Sequence, residues 1–151
     1  MQTTLSTQIP STPIPSSTPA IATSIPTSRR ARWTGRVLSG LPVAFLAFDV
    51  AIKLIGIPAV TEASERLGMP VGQARPIALI LACSLALYVV RRTAVLGAVL
   101  LTGYLGGAVF AHLRIADPLL SHTLFPIYVG ALLWGGLYLR DARVRGLFTA
   151  R

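Results

Sequence analysis

Four long apolar runs occupy the 151-residue chain from Val37 onward, and almost every arginine lies between them or beyond them. A helix rising 1.5 Å per residue needs roughly 20 apolar residues to cross about 30 Å of hydrocarbon. The first run covers about residues 37–58, the third 93–113 and the fourth 119–139. The second is shorter, with only 15 residues in 76–90, so it must recruit residues 71–75 or sit where the bilayer thins. A two- or three-span chain with a re-entrant second segment is the structural alternative. Charged residues make up 13% of the chain and the mean hydropathy is +0.66. A water-soluble domain carries about 25% charged residues, so lipid is the solvent that accommodates this much apolar surface.

The net charge of +9 would suit a nucleic-acid partner, but its placement argues against one. Arg29, Arg30, Arg32 and Arg36 precede the first run, Arg91 and Arg92 divide the second from the third, and Arg140, Arg143, Arg145 and Arg151 follow the fourth. The other two connections hold only Arg66, Arg75 and Arg114, a ratio of ten to three. Basic residues collect in cytoplasmic segments of membrane proteins, which places both termini in the cytoplasm. Trp33, Tyr88, Trp134 and Tyr138 fall near the same boundary, where amphipathic rings settle. The short connections 91–92 and 114–118 make successive helices antiparallel neighbours. The expected architecture is an all-α integral membrane four-helix bundle.

Residues 1–28 contain 18 Ser, Thr or Pro and no charge, a composition that cannot offset its ordering entropy. Residues 1–32 therefore read as a disordered cytoplasmic tail rather than a secretory signal, because a basic n-region is missing and prolines interrupt any apolar core. Residues 143–151 read as a second, basic cytoplasmic tail. The outer connection 59–70 has the signals of one short helix: Thr61 as cap, Glu62 and Glu65 near its positive end, and Gly68 with Pro70 to stop it.

Asp49 and Lys53 lie inside the first run, four residues apart and so on one helical face. Each costs about 2.5–3.5 kcal/mol at a helix centre on insertion scales, and the acid N-terminal to the base is the better order for mutual neutralisation. They read either as a structural ion pair or as a polar site for a proton, a quinone headgroup or a small solute. His112 and His122 fall at the outer ends of the third and fourth runs, with Arg114 and Asp117 between them. With Gln73 and Arg75 these residues outline a polar cup opening outward. The histidines lack the fixed helical spacing of a metal pair, so they read first as helix-end residues. His112 lies about 140° from Gly107 on a helical wheel, so it and the glycine face should not meet one neighbour.

Gly103 and Gly107, extended by Ala111, form a small-residue line that allows close helix approach in lipid, and Ala131 with Gly135 offers a similar surface. These suit either the bundle interior or a homo-oligomer. Pro126 should kink the fourth helix. Cys83 is the only cysteine, so a self-contained CxxC exchanger is excluded, and its apolar setting suggests an inert buried thiol.

The runs TAVLGAVLLTGYLGGAVFAHLRIADPL and SHTLFPIYVGALLWGGLYLRD, with FDVAIKLIGIPAV earlier, resemble the DoxX-like family of small bacterial four-helix membrane proteins. The likeness covers about residues 33–142, and GYLGGAVFAHLR is its most specific block. Many relatives carry proline before the Arg-Thr pair, where Arg91 stands here. The resemblance implies a multi-pass protein of the bacterial inner membrane. It carries over Lys53, Gly103, Gly106, Gly107, His112, Arg114 and His122 as pattern positions. Because the broader DoxX/DoxD group includes a subunit linked to quinone-coupled thiosulfate oxidation, it also implies an accessory role beside a quinone-linked redox partner. A small-solute or lipid carrier using Asp49, Lys53, His112, Arg114 and His122 as its binding site is the rival expectation.

Overall fold

The computed structural model describes residues 29–70 and 72–149, and these are all-α. Helix α1 runs Arg29–Ile55, α2 Pro58–Arg66, α3 Ala74–Val89, α4 Ala94–Arg114, α5 Phe125–Arg140 and α6 Ala142–Thr149, with a π-helical turn at Leu119–Thr123 before α5. Three segments are long and apolar enough to cross a membrane: Trp33–Ile55, Ala94–Arg114 and Leu119–Arg140. Helix α3 has only 16 residues, about 24 Å at 1.5 Å per residue. It is nevertheless no re-entrant loop. Its first turn lies beside Met69 and His112, whereas Tyr88 near its end meets Ser39 and Arg140 at the opposite end of the bundle.

Helix α1 packs on α3 and α5, and α4 packs on the same two, so α1 and α4 face each other diagonally. The core is Leu46 of α1, Leu81 and Leu85 of α3, Leu101 and Leu105 of α4, and Val129, Leu133 and Leu137 of α5. Phe48, Ile80, Phe110 and Leu120 point outward and are 62–74% exposed. That surface would be untenable in water but matches hydrocarbon. Ser84 and Thr102 donate to the carbonyls of Ile80 and Ala98 at 2.8 Å, so their hydroxyls carry no unmet bond into the apolar helices.

Two close approaches fix the arginine-rich end. A Cβ on Gly97 would fall 2.2 Å from the Tyr88 backbone nitrogen, so only glycine permits the tight α3–α4 turn. A Cβ on Gly136 would fall 2.2 Å from Ser39 Oγ, and one on Gly35 2.9 Å from Leu139 Cβ, so α1 and α5 touch through glycines. Tyr88 joins three helices there. A carbonyl can only accept, so the Tyr88 hydroxyl donates to Leu133 O at 2.7 Å and takes the Ser39 hydroxyl proton across 3.1 Å.

Several sequence expectations change. Tyr88 is wholly buried rather than interfacial, because its hydroxyl finds partners inside the bundle. Cys83 sits on the exposed face of α3, which the bundle turns toward lipid, and is not a core thiol. Helix α2 starts at Pro58, three residues before the expected cap Thr61, because Gly56 at φ +74° ends α1 and proline suits a first turn. Glu62 and Glu65 consequently lie beyond that first turn. Gly68 does end the helix, at φ +67°, with Met69 N–H bonded to Ser64 O and Gly68 N–H to Glu65 O. The fourth span is divided rather than kinked at Pro126, which occupies the first turn of α5, where an amide proton is dispensable. Residues 143–149, expected as tail, belong to α6, which seats Val144 against the core. Of the tail 1–32 expected to be disordered, residues 29–32 instead open helix α1, and residues 1–28 lie outside the described residues.

Candidate functional site

The diagonal gap between α1 and α4 is not filled, for a reason visible in the side chains. Helix α4 presents Gly103, Gly107, Ala108 and Ala111 to it, and a Cβ on Gly103, Gly106 or Gly107 would meet nothing within 4 Å. The small-residue line therefore makes space within the chain instead of a helix crossing. The result is a cavity of about 580 Å³ in the half of the bundle away from the arginine end. Ile52 and Ile57 form one wall, and Ala74 and Ile77 of α3 another. Helix α2 roofs it with Val60, Ala63 and Leu67.

Polar groups gather at the α1–α4 side. Lys53 donates to the Asp49 carboxylate one turn earlier, as the four-residue spacing requires. Tyr104 reaches across from α4, its hydroxyl donating to Asp49 Oδ2 at 3.2 Å and lying 3.4 Å from Lys53 Nζ. The pair is about one-fifth exposed, and that exposure opens on the cavity they line. The group can therefore offer a ligand the remaining ammonium protons of Lys53, whose position Asp49 and Tyr104 fix, while the single phenol proton of Tyr104 is spent on Asp49.

A second polar cluster stands at the roof. Asp117 is buried, accepts from Arg66 of α2, and lies 2.7 Å from His112 Nδ1. An ionised carboxylate only accepts, so His112 carries its proton on Nδ1 in this contact. That hydrogen bond, more than any other influence, holds the Asp117 carboxyl below its ordinary value; burial pushes the other way, and Arg66 and both histidines add to the lowering. Arg114 donates to the Leu67 carbonyl at the end of α2, and a Cβ on Gly68 would fall 2.7 Å from its Nη2. Helix α2 is thus fastened by two arginine contacts, one from each side of the α2–α4 boundary.

Of the five residues expected to bind, Asp49, Lys53 and His112 border the cavity, Arg114 fastens its roof, and His122 stands outside. The His122 ring is 6.0 Å from that of His112, and its Nδ1 meets Ser121 Oγ at 2.8 Å. Gly107 and His112 border one cavity despite their angular separation, because the space is wide enough to span both faces. Gln73 and Arg75, placed in the outward cup, are exposed and do not line it. Tyr104 was missed. The available signal was a phenol in the middle of the α4 segment, whose one other hydroxyl is that of Thr102. Among the described residues no His, Cys, Asp or Glu group of three or more gathers as a metal site would.

Residues 37–136 match the model of the DoxX-like family, and the chain belongs to that family. No curated protein and no solved structure matches it.

Proposed function

We propose that this DoxX-like membrane protein is an accessory subunit for a quinone-linked redox partner and that its cavity holds the quinone ring. One observation carries the reading: an apolar space of about 580 Å³ whose polar groups, Lys53, Tyr104 and Asp49, converge at one side. Small-molecule sites have this size and this sparse polar lining. A quinone has apolar faces and carbonyl acceptors, and Lys53, held in place by Asp49 and Tyr104, is a donor set in an apolar wall. When bound, the quinone supplies two-electron chemistry; the chain orients one carbonyl, and the α2 roof keeps bulk water away. The accessory role is what membership of the family suggests.

Titration of the full chain in lipid nanodiscs with a short-chain ubiquinone analogue tests the binding. Saturable binding is expected, weakened roughly three- to tenfold in Lys53→Met by the loss of one hydrogen bond. Gly107→Phe fills the cavity without meeting a neighbour at Cβ, and should abolish binding while leaving the fold intact. Binding unchanged in Gly107→Phe would defeat the proposal. Recovery from mild detergent of free chain alone, with neither quinone nor a second protein, would count against the accessory role.

One observation favours a second reading, a carrier or binding protein for a small solute or lipid. The roof α2 rests on the Arg66–Asp117 and Arg114–Leu67 contacts, which could part to open the cavity outward. Solute flux in liposomes that disappears in both Asp49→Asn and Lys53→Met would favour the carrier; flux unchanged in both would remove it.

A further inference from the structure

A second, smaller pocket lies at the opposite end of the bundle. It has a volume of about 210 Å³ and is lined by Arg36 of α1, Arg91 of the α3–α4 turn, and Arg140 and Asp141 at the end of α5, over the buried Ala94 and Leu137. Three arginines from three parts of the chain therefore line one pocket with a single acidic residue. That carboxylate is already engaged, since Asp141 Oδ1 accepts the Arg143 amide proton at 2.9 Å. Among the described residues no carboxylate pairs with Arg36, Arg91 or Arg140.

The pocket has one rigid wall. Arg140 stacks on the Tyr88 ring, with its guanidinium carbon 4.7 Å from the ring centre, and donates to Tyr88 O at 3.1 Å. That bond uses one of its five N–H groups. Arg36 stacks on Trp33 at 5.9 Å. Converging arginines of this kind match the oxygens of a phosphate by paired, charge-assisted hydrogen bonds. The flanks are apolar: Val37 next to Arg36 and Val90 next to Arg91 are both exposed, on the surface that meets lipid.

We propose that this pocket binds the phosphate of an anionic phospholipid headgroup, with Arg36, Arg91 and Arg140 as its ligands and the acyl chains lying outside along Val37 and Val90. Basic pockets between spanning helices at the headgroup level bind anionic lipids in this way. A lipid is favoured over free phosphate because the apolar flanks adjoin the arginines directly. The site is separate from the quinone cavity and does not depend on it.

Native mass spectrometry of the full chain, released from neutral detergent with equimolar phosphatidylglycerol and phosphatidylcholine, tests this directly. Phosphatidylglycerol should be retained about tenfold over phosphatidylcholine, and Arg36→Gln and Arg91→Gln should each lower that retention by about tenfold. Arg143→Gln, on an exposed residue outside the pocket, should leave it unchanged. Arg91 is exposed in a turn, so its variant keeps the test usable if Arg36→Gln folds poorly. Equal retention of the two lipids, or wild-type retention in Arg91→Gln, would overturn the proposal. Displacement of phosphatidylglycerol by equimolar inorganic phosphate would uphold the phosphate site and overturn the lipid as its source.

Discussion

Separating the partners of the Asp49–Lys53 pair should have unequal consequences, because they lie at different depths. Asp49 is six residues before Ile55 at the end of α1, about 9 Å, whereas Lys53 is two residues before it, about 3 Å. Lys53→Met leaves the deeper carboxylate without its cation. The full penalty for an acid at a helix centre is about 2.5–3.5 kcal/mol. Intermediate depth reduces it, and the Tyr104 hydrogen bond that survives offsets about 0.6 kcal/mol, the average for such bonds in a bilayer protein. A loss of about 2 kcal/mol is expected. Asp49→Asn leaves a shallow ammonium on a flexible stem that can extend to the interface, so less than about 1 kcal/mol should be lost. The double variant Asp49→Asn/Lys53→Met removes both charges and should be more stable than Lys53→Met alone, by about 1 kcal/mol. Reversible unfolding in bicelles measures all three. Equal losses in the two single variants, or additive losses in the double, would refute the reasoning from depth and pairing.

Other outcomes follow from the same geometry. Gly136→Ala should lower the unfolding temperature sharply, because its Cβ would sit 2.2 Å from Ser39 Oγ, while Gly103→Ala and Gly106→Ala, which meet open space, should leave it almost unchanged. The folded Asp117 carboxyl is held below its ordinary value, so its stabilisation is complete above that value and is lost as pH falls through the folded one. The stability difference between the native chain and Asp117→Asn should therefore shrink as pH falls below about 3.9, the ordinary Asp value; a difference that does not shrink there would contradict it. From the arginine excess we propose that the α1 start and the α5 end face the cytoplasm. A cysteine at Thr61 in a Cys83→Ala background should accordingly react with an impermeant maleimide from outside the cell, and one at Arg143 only from inside.

The bundle was legible because hydropathy and arginine placement are properties of each segment by itself. The Asp49–Lys53 pair was legible for a similar reason, as a four-residue helical spacing fixes its geometry before any packing. What the sequence could not supply depends on how helices rotate against one another. Tyr104 meets Lys53 across 51 residues, and Arg66 meets Asp117 across another 51, with no spacing rule to connect them. The same ignorance of rotation made Tyr88 look interfacial and Cys83 look buried. The glycines of α4 illustrate it most clearly. Their spacing signalled close approach, which the chain makes instead at Gly35, Gly97 and Gly136, and the α4 glycines line the cavity.

We propose that a flat, apolar ligand with carbonyl acceptors enters the space beneath α2 and reaches Lys53 and Tyr104. Photolabelling the full chain in bilayers with a short-chain azidoquinone, followed by mapping of the modified peptides, addresses it most directly. Label on residues 57–69 and 103–112, suppressed by excess unlabelled quinone, is the predicted result. Label confined to the lipid-facing groove of Gly106, Pro126 and Trp134, or label that excess quinone does not suppress, would contradict it.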